Sequence, residues 1–292
     1  MFDLKQFALN KSIARLFVMS VDVDGWSSLL RFYSIAHDPS EADLQVNVVN
    51  GIEKLLHLFA EHDVKATFFV TGEMAKKHPD AIRMIMDDEH EIACHGLYHE
   101  RNEYLLTREE QKASIEKATN IIENITGRKT LGFRAPCLRA NQATLEVLNE
   151  IGYLYDSSFL PMLLPGYYGS LSFRFKPYYP STKYSEFLEI PISTNPIIPL
   201  PFSGSWMRNL GLTWVKFGVR MLFNMKSSVM IYIHPRDVLD LPFVPEVPWH
   251  LYRNTGNCCL KMLDELLTFI DKIGGRTTRA MDLREHVLAT KE

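Results

Sequence analysis

LFVMSVDVDG, residues Leu16–Gly25, decides how this chain is read. Its first eight residues are almost continuously apolar, which suits a strand buried on both faces, as in parallel sheets. The run ends in two carboxylates, Asp22 and Asp24, followed by Gly25. Side chains two apart on a strand point the same way. If the strand continued, both would face one site at its C-terminal mouth, where parallel barrels place their chemistry. The turn at Gly25 can alter that direction. Standing alone, such a D-x-D reads as two solvated loop aspartates.

Working outward, similar runs recur at Val64–Thr71, Glu91–Cys94, Leu131–Arg134, Leu188–Ile192 and Val229–Ile233. Helical patterns lie between them. Gln45–His62 repeats Val48, Val49, Ile52, Leu55, Leu56 and Phe59 at helical spacing, and His78–Asp87 follows the Pro79 start signal. Thr107–Asn124 opens on a capping box, Thr107 with Glu110, and stops at Gly127. Gln142–Gly152 and Asn257–Ile273 complete the set. Strand–helix alternation predicts an α/β fold, either a parallel barrel or a doubly wound sheet. No repeat, low-complexity stretch or linker divides the chain, so residues 1–292 are expected to form one catalytic domain. Tyr155–Gly211, rich in Pro, Tyr and Ser, is expected to carry long loops that shape a cleft.

Composition excludes some functions. The chain has 292 residues, 46% hydrophobic and 23% charged, with a net charge of -3. No nucleic-acid partner is expected without a basic excess. The four cysteines show no C-x-x-C spacing, so they read as reduced, mostly buried thiols rather than a zinc site. With no signal-peptide pattern at the N-terminus and no bilayer-length apolar run, a cytoplasmic location is expected.

Four constellations carry chemistry. Besides Asp22 and Asp24 there is His95-Gly96-Leu97-Tyr98-His99. On a helical turn its two histidines would share one face and could bind one metal ion; surface histidine pairs are equally common. One carboxylate and two imidazoles with open positions are what a hydrolytic zinc centre needs. Gly132-Phe133-Arg134-Ala135-Pro136 puts an arginine at a strand tip, where an ordinary surface arginine would also fit. Finally, His234-Pro235 terminates the apolar run Val229–Ile233. A lone histidine at such a place is more often structural than catalytic.

The order of these four sets resembles the polysaccharide deacetylase family, also called the NodB-homology or carbohydrate esterase 4 group. HEIACHGLYHE, GFRAP and YDSS (Tyr155–Ser158) are close to family wording, and the D-V-D form with the later HLYRNTG segment is similar to its exopolysaccharide-type and allantoinase-like branch. The resemblance runs from about Leu16 to His234 and beyond. It implies a distorted (β/α) barrel of about seven strands. It also implies roles: Asp22 as catalytic base, Arg134 keeping that base ionised, His234 as general acid, and Asp24, His95 and His99 as ligands of a divalent metal, most readily Zn2+. A backbone N–H near Cys137 would help to hold the oxyanion. The chain departs from the commonest form where Val23 separates the aspartates, where Gly96 replaces a hydroxyl residue, and at Cys137. The Asp–Trp motif that would tune His234 is not recognisable.

The implied substrate is an N-acetylated sugar or polysaccharide. Tyr167, Tyr168, Tyr178, Tyr179 and Trp206 could stack on sugar rings, though such residues are more often packing. Leu200–Met225 mixes Trp and Phe with Arg208, Lys216 and Arg220. A surface helix touching the inner face of a membrane would look like this, as would a core-facing helix with a basic outer side. The first would suit a lipid-linked substrate. Rival readings are an allantoinase-like hydrolase of cyclic amides or ureides, and an inactive carbohydrate-binding relative. Oligomeric state is not legible.

Overall fold

The computed structural model describes residues 15–36, 46–99, 103–162, 174–180 and 186–290. Among the described residues, eight strands form one sheet in which every strand pairing is parallel: β1 (Leu16–Val23), β2 (Thr67–Val70), β3 (Glu91–Cys94), β4 (Gly132–Phe133), β5 (Tyr155–Asp156), β6 (Leu188–Glu189), β7 (Val229–Ile233) and β8 (Arg276–Thr277). The order along the main path is β6-β5-β4-β3-β2-β1-β7, with β8 beside the start of β1. Seven strands therefore carry the curl, as a distorted (β/α) barrel requires. The seam between its edges is held by Ser193 and Met230: the Ser193 N–H donates to the Met230 carbonyl, and the Met230 N–H donates to Ser193 Oγ, each at 2.9 Å.

The helices wrap the outside. They are α1 (Trp26–Phe32), α2 (Val48–Glu61), α3 (Gly72–Lys77), α4 (Pro79–Asp87), α5 (Arg108–Thr126), α6 (Gln142–Glu150), α7 (Gly204–Leu210), α8 (Leu212–Asn224), α9 (Asn257–Lys272) and α10 (Ala280–Ala289). The capping box at Thr107 and the left-handed Gly127 bound α5 as the sequence indicates. The other expected helices shift by a few residues at their ends, where terminal turns fray. α1, α3 and α10 were not expected, and α1 and α3 are short. α7 and α8 divide the one helix expected within Leu200–Met225, α7 falling at the end of Tyr155–Gly211, the stretch expected to carry loops.

Side-chain alternation along β1 explains the site's position. Phe17, Met19, Val21 and Val23 join the core beneath the helices, while Leu16 and Val18 join Phe69, Ala93, Tyr155 and Met230 inside the barrel. Ser20 and Asp22 share that inward parity. The floor is closed by α10, whose Ala280 and Leu283 enter the interior cluster. The Ala280 N–H donates to Thr67 Oγ1 at 2.8 Å.

α8 buries Val215, Gly218, Val219, Leu222 and Phe223. On its outer side Lys216 pairs with Glu265 at 3.6 Å, and Arg220 lies over the Phe269 ring. One face of α8 therefore packs on the core. No helix among the described residues is long and apolar enough to cross a membrane. All four cysteines are free thiols, but only Cys94 and Cys259 are buried; Cys137 is half-buried and Cys258 exposed.

Candidate active site

Asp22 ends β1 pointing into the barrel, and Arg134, just past β4, reaches it across the lumen. Arg134 Nη1 donates to Asp22 Oδ1 at 2.6 Å and to Ser20 Oγ at 2.9 Å. Its Nε and Nη2 donate to the carbonyl and hydroxyl of Ser157, at 3.1 and 2.9 Å. The guanidinium lies 3.9 Å from the Phe69 ring centroid. So the arginine at the strand tip is buried, and the YDSS segment supplies its harness. Burial works to raise the Asp22 pKa, but the adjacent Arg134 guanidinium outweighs it and holds the carboxyl below its ordinary range.

The two histidines do not lie on a helix. They occupy a loop after β3 in which Gly96 takes φ +74, and an added Cβ there would fall 2.8 Å from Pro136 Cγ. Glycine is needed for both reasons. The His95 Nδ1 lies 2.8 Å from the Arg134 carbonyl, which can only accept, so Nδ1 carries the proton. That leaves the lone pair on Nε2, which is buried and has no hydrogen-bond partner. Burial lowers the pKa of both imidazoles, that of His99 to about 3, keeping them neutral despite the nearby aspartates.

Asp24 completes the group. Its Oδ2 is buried without a hydrogen bond and stands 3.7 Å from His99 Nε2, too far to bond. The His95 and His99 ring centroids are 5.3 Å apart. The chain therefore gathers two neutral imidazoles and a carboxylate, with orphaned donor atoms on Asp24 and His95. This donor chemistry fits a divalent cation of borderline softness. It is not a closed coordination shell: among the described residues no three His, Cys, Asp or Glu side chains stand close enough to hold a metal ion. Asp24 Oδ1 accepts from Arg236 Nη1 at 2.5 Å. Burial raises the Asp24 pKa, yet the Arg236 guanidinium brings it down to about 2.

His234 follows β7 and faces the same space. Asp237 is its partner: Oδ2 accepts the His234 backbone N–H at 2.9 Å and lies 3.5 Å from the ring Nδ1. Asp237 is in turn bound by Arg208 Nη2 at 2.8 Å, in a buried pair. Burial opposes ionisation of Asp237, but Arg208 and His234 hold its carboxyl far below the ordinary range. Sequence reasoning missed Asp237, Arg208 and Arg236. The H-P-x-D spacing was a signal for Asp237, since an acceptor three residues on can cap the histidine's own N–H. Arg208 had no local signal.

These residues line a cavity of about 500 Å³ at the C-terminal ends of the strands, including Asp22, His95, His99, Cys137, His234 and Arg236. Trp206 and Trp249 add aromatic wall, Trp249 being 69% exposed. Tyr178 and Tyr179 are not among the lining residues; Tyr178 instead meets Arg174. Tyr167 and Tyr168 lie outside the described residues.

Comparison with known proteins bears on the family and the fold. Residues 43–155 match the family model described as polysaccharide deacetylase, and residues 157–273 match DUF3473, a domain of unknown function. A peptidoglycan deacetylase of Helicobacter pylori is 29% identical over 154 residues, 52% of this chain and 52% of that protein. The chain thus spans about half the length of that curated relative. A Mycobacterium smegmatis structure assigned to the polysaccharide deacetylases superposes with a TM-score of 0.69 at 23% identity, covering 94% of this chain and 91% of the other. Puue allantoinase superposes at 0.67 with 19% identity, covering 95% and 92%. At such identities the superpositions speak for the fold alone. The two matched segments meet near residue 156, yet β1 to β5 and β6 to β7 share one sheet. The chain carries a polysaccharide deacetylase domain of the NodB, or carbohydrate esterase 4, type, with a DUF3473 segment joined to it.

Proposed function

We propose that the protein is a metal-dependent hydrolase that removes N-acetyl groups from a sugar unit of a polysaccharide. The observation that carries this reading is the meeting of Asp22, His95, His99 and His234, from three separate strand ends, around one cavity, with Asp24 3.7 Å from His99. An amide needs an activated water, a stabilised oxyanion and a protonated leaving amine, and each need has a candidate here.

Asp24, His95 and His99 would hold the cation, with Zn2+ favoured by two imidazoles and a carboxylate. Bound there, it supplies Lewis acidity that polarises the acetyl carbonyl and makes water acidic. Asp22, kept ionised by Arg134, accepts the proton of the attacking water. The backbone N–H of Cys137, in the cavity wall, is the candidate oxyanion donor. His234 delivers a proton to the amine nitrogen as the C–N bond breaks. Asp237 favours the Nδ1-protonated ring and leaves Nε2 for the substrate. The cavity volume falls within the roughly 300–1,000 Å³ of small-ligand sites, so a sugar terminus or short segment enters, stacked on Trp206 and Trp249.

The test is acetate release from N-acetylglucosamine oligomers by Zn2+-loaded protein, with allantoin run in parallel. Metal-dependent acetate release is expected. Turnover of allantoin alone would move the assignment to ureide hydrolysis. Turnover of neither, with sugar binding retained, would make the chain an inactive relative.

A further inference from the structure

We propose that Arg236 is an internal counter-ion that competes with a divalent cation for Asp24 and so tempers the site's metal affinity. The proposal rests on the cation reading above and adds a residue to it. Arg236 comes from the turn after His234, while Asp24 comes from the end of β1, and they meet at 2.5 Å. The Asp24 side chain has no solvent exposure and that of Arg236 only 12%. A charged hydrogen bond in so dry a place is not screened as a surface pair would be.

The carboxylate has two oxygens in different situations. Oδ1 is taken by Arg236, whereas Oδ2 is orphaned on the His99 side. A cation entering between Asp24, His95 and His99 meets a carboxylate whose charge is already matched, and it is repelled by the guanidinium behind it. Favourable binding therefore weakens or breaks the Arg236 bond. The guanidinium has somewhere to go, because Arg236 already lines the cavity. Displaced into that space, it would stand on the substrate side of the site. Arg236 acts through Asp24 and is a positioning residue, not a catalytic one.

The competition makes a prediction that a purely structural role does not. Without the cation, Arg236→Gln leaves Asp24 buried and unpaired, so thermal stability falls. With the cation, Asp24 is fully available, so affinity rises. The experiment uses chelator-stripped full-length protein, titrated with Zn2+ by calorimetry and followed by thermal unfolding with and without Zn2+. Arg236→Gln should bind Zn2+ about tenfold or more tightly than wild type, the value of one charged hydrogen bond no longer given up. It should also show a lower melting temperature without Zn2+ and a larger Zn2+-induced rise. Arg236→Lys, which keeps the charge, should fall between the two and serves if the glutamine variant does not fold.

Equal or weaker Zn2+ binding in both variants would overturn the proposal and make Arg236 a simple support for Asp24. Binding in Arg236→Gln but none in wild type would support it in its strongest form. If neither protein takes up Zn2+, the cation reading fails and this inference with it. If His95→Ala abolishes wild-type binding while the Arg236 variants leave it unchanged, this inference alone fails.

Discussion

Arg134 Nη1 stands 2.6 Å from Asp22 Oδ1, both side chains buried inside the barrel. The pair joins the ends of β1 and β4 across the lumen and ties the candidate base to the fold. Asp22→Asn is expected to abolish acetate release while Zn2+ uptake, measured by elemental analysis, stays near wild type. Arg134→Met is expected to lose activity and stability together. It strands a buried carboxylate, a change that costs about 3–5 kcal/mol, measurable by denaturant unfolding.

The His95–His99 loop gives a second expectation. His95→Ala and His99→Ala should each lower the Zn2+ content. Gly96→Ala touches neither imidazole, yet it places a Cβ at φ +74 against Pro136. Left-handed backbone alone costs about 1–2 kcal/mol for such a residue. The variant should lose stability and Zn2+ together, read by thermal unfolding and elemental analysis. Full Zn2+ occupancy in Gly96→Ala would show that the loop tolerates a shift.

The Arg208–Asp237–His234 chain predicts a graded series. His234→Ala should reduce kcat by about 10²–10⁴-fold, the range for a general acid. Asp237→Asn should approach that loss with KM little changed, because the histidine remains but loses its charged partner. Arg208→Ala should unfold at markedly lower denaturant, since Asp237 is then buried without its counter-ion. A wild-type kcat in Asp237→Asn would detach this carboxylate from the chemistry.

A pH effect remote from the site follows from His90. Its Nδ1 accepts the Ala66 N–H at 2.9 Å, so that nitrogen must be unprotonated. Burial, with Lys65 adding to it, lowers its pKa to about 4. The unfolded chain takes up this proton more readily, so the His90 contribution is complete above about pH 6.5 and declines as pH falls toward about 4. His90→Asn keeps an acceptor that does not titrate. The dependence of unfolding free energy on pH across that window should then flatten by up to one proton. An unchanged slope would place the titration elsewhere.

Much of this site was legible because its chemistry sits at strand ends. Leu16–Val23, Glu91–Cys94 and Val229–Ile233 read correctly to the residue, since buried parallel strands are continuous apolar runs with abrupt polar ends. β5 and β8 were missed. Two-residue strands such as Tyr155–Asp156 and Arg276–Thr277 are defined by their neighbours' hydrogen bonds, not by a pattern of their own. The histidine pair was expected on a helical turn. Gly96 in the left-handed region, closed against Pro136, makes it a loop instead.

What the sequence determined by itself was which residue types stand where β-strands stop, and in what order. Pattern and spacing, which are properties of the chain alone, led to a parallel barrel or a doubly wound sheet; the barrel, and the roles expected of Asp22, Asp24, His95, His99, Arg134 and His234, came from the resemblance of their order to the polysaccharide deacetylase family. Only the tertiary structure decided who partners whom. Arg208 finds Asp237 across 29 positions, and Arg236 finds Asp24 across 212. Such pairings arise from closure of the sheet, which brings distant charges into a shared dry interior where each must be matched.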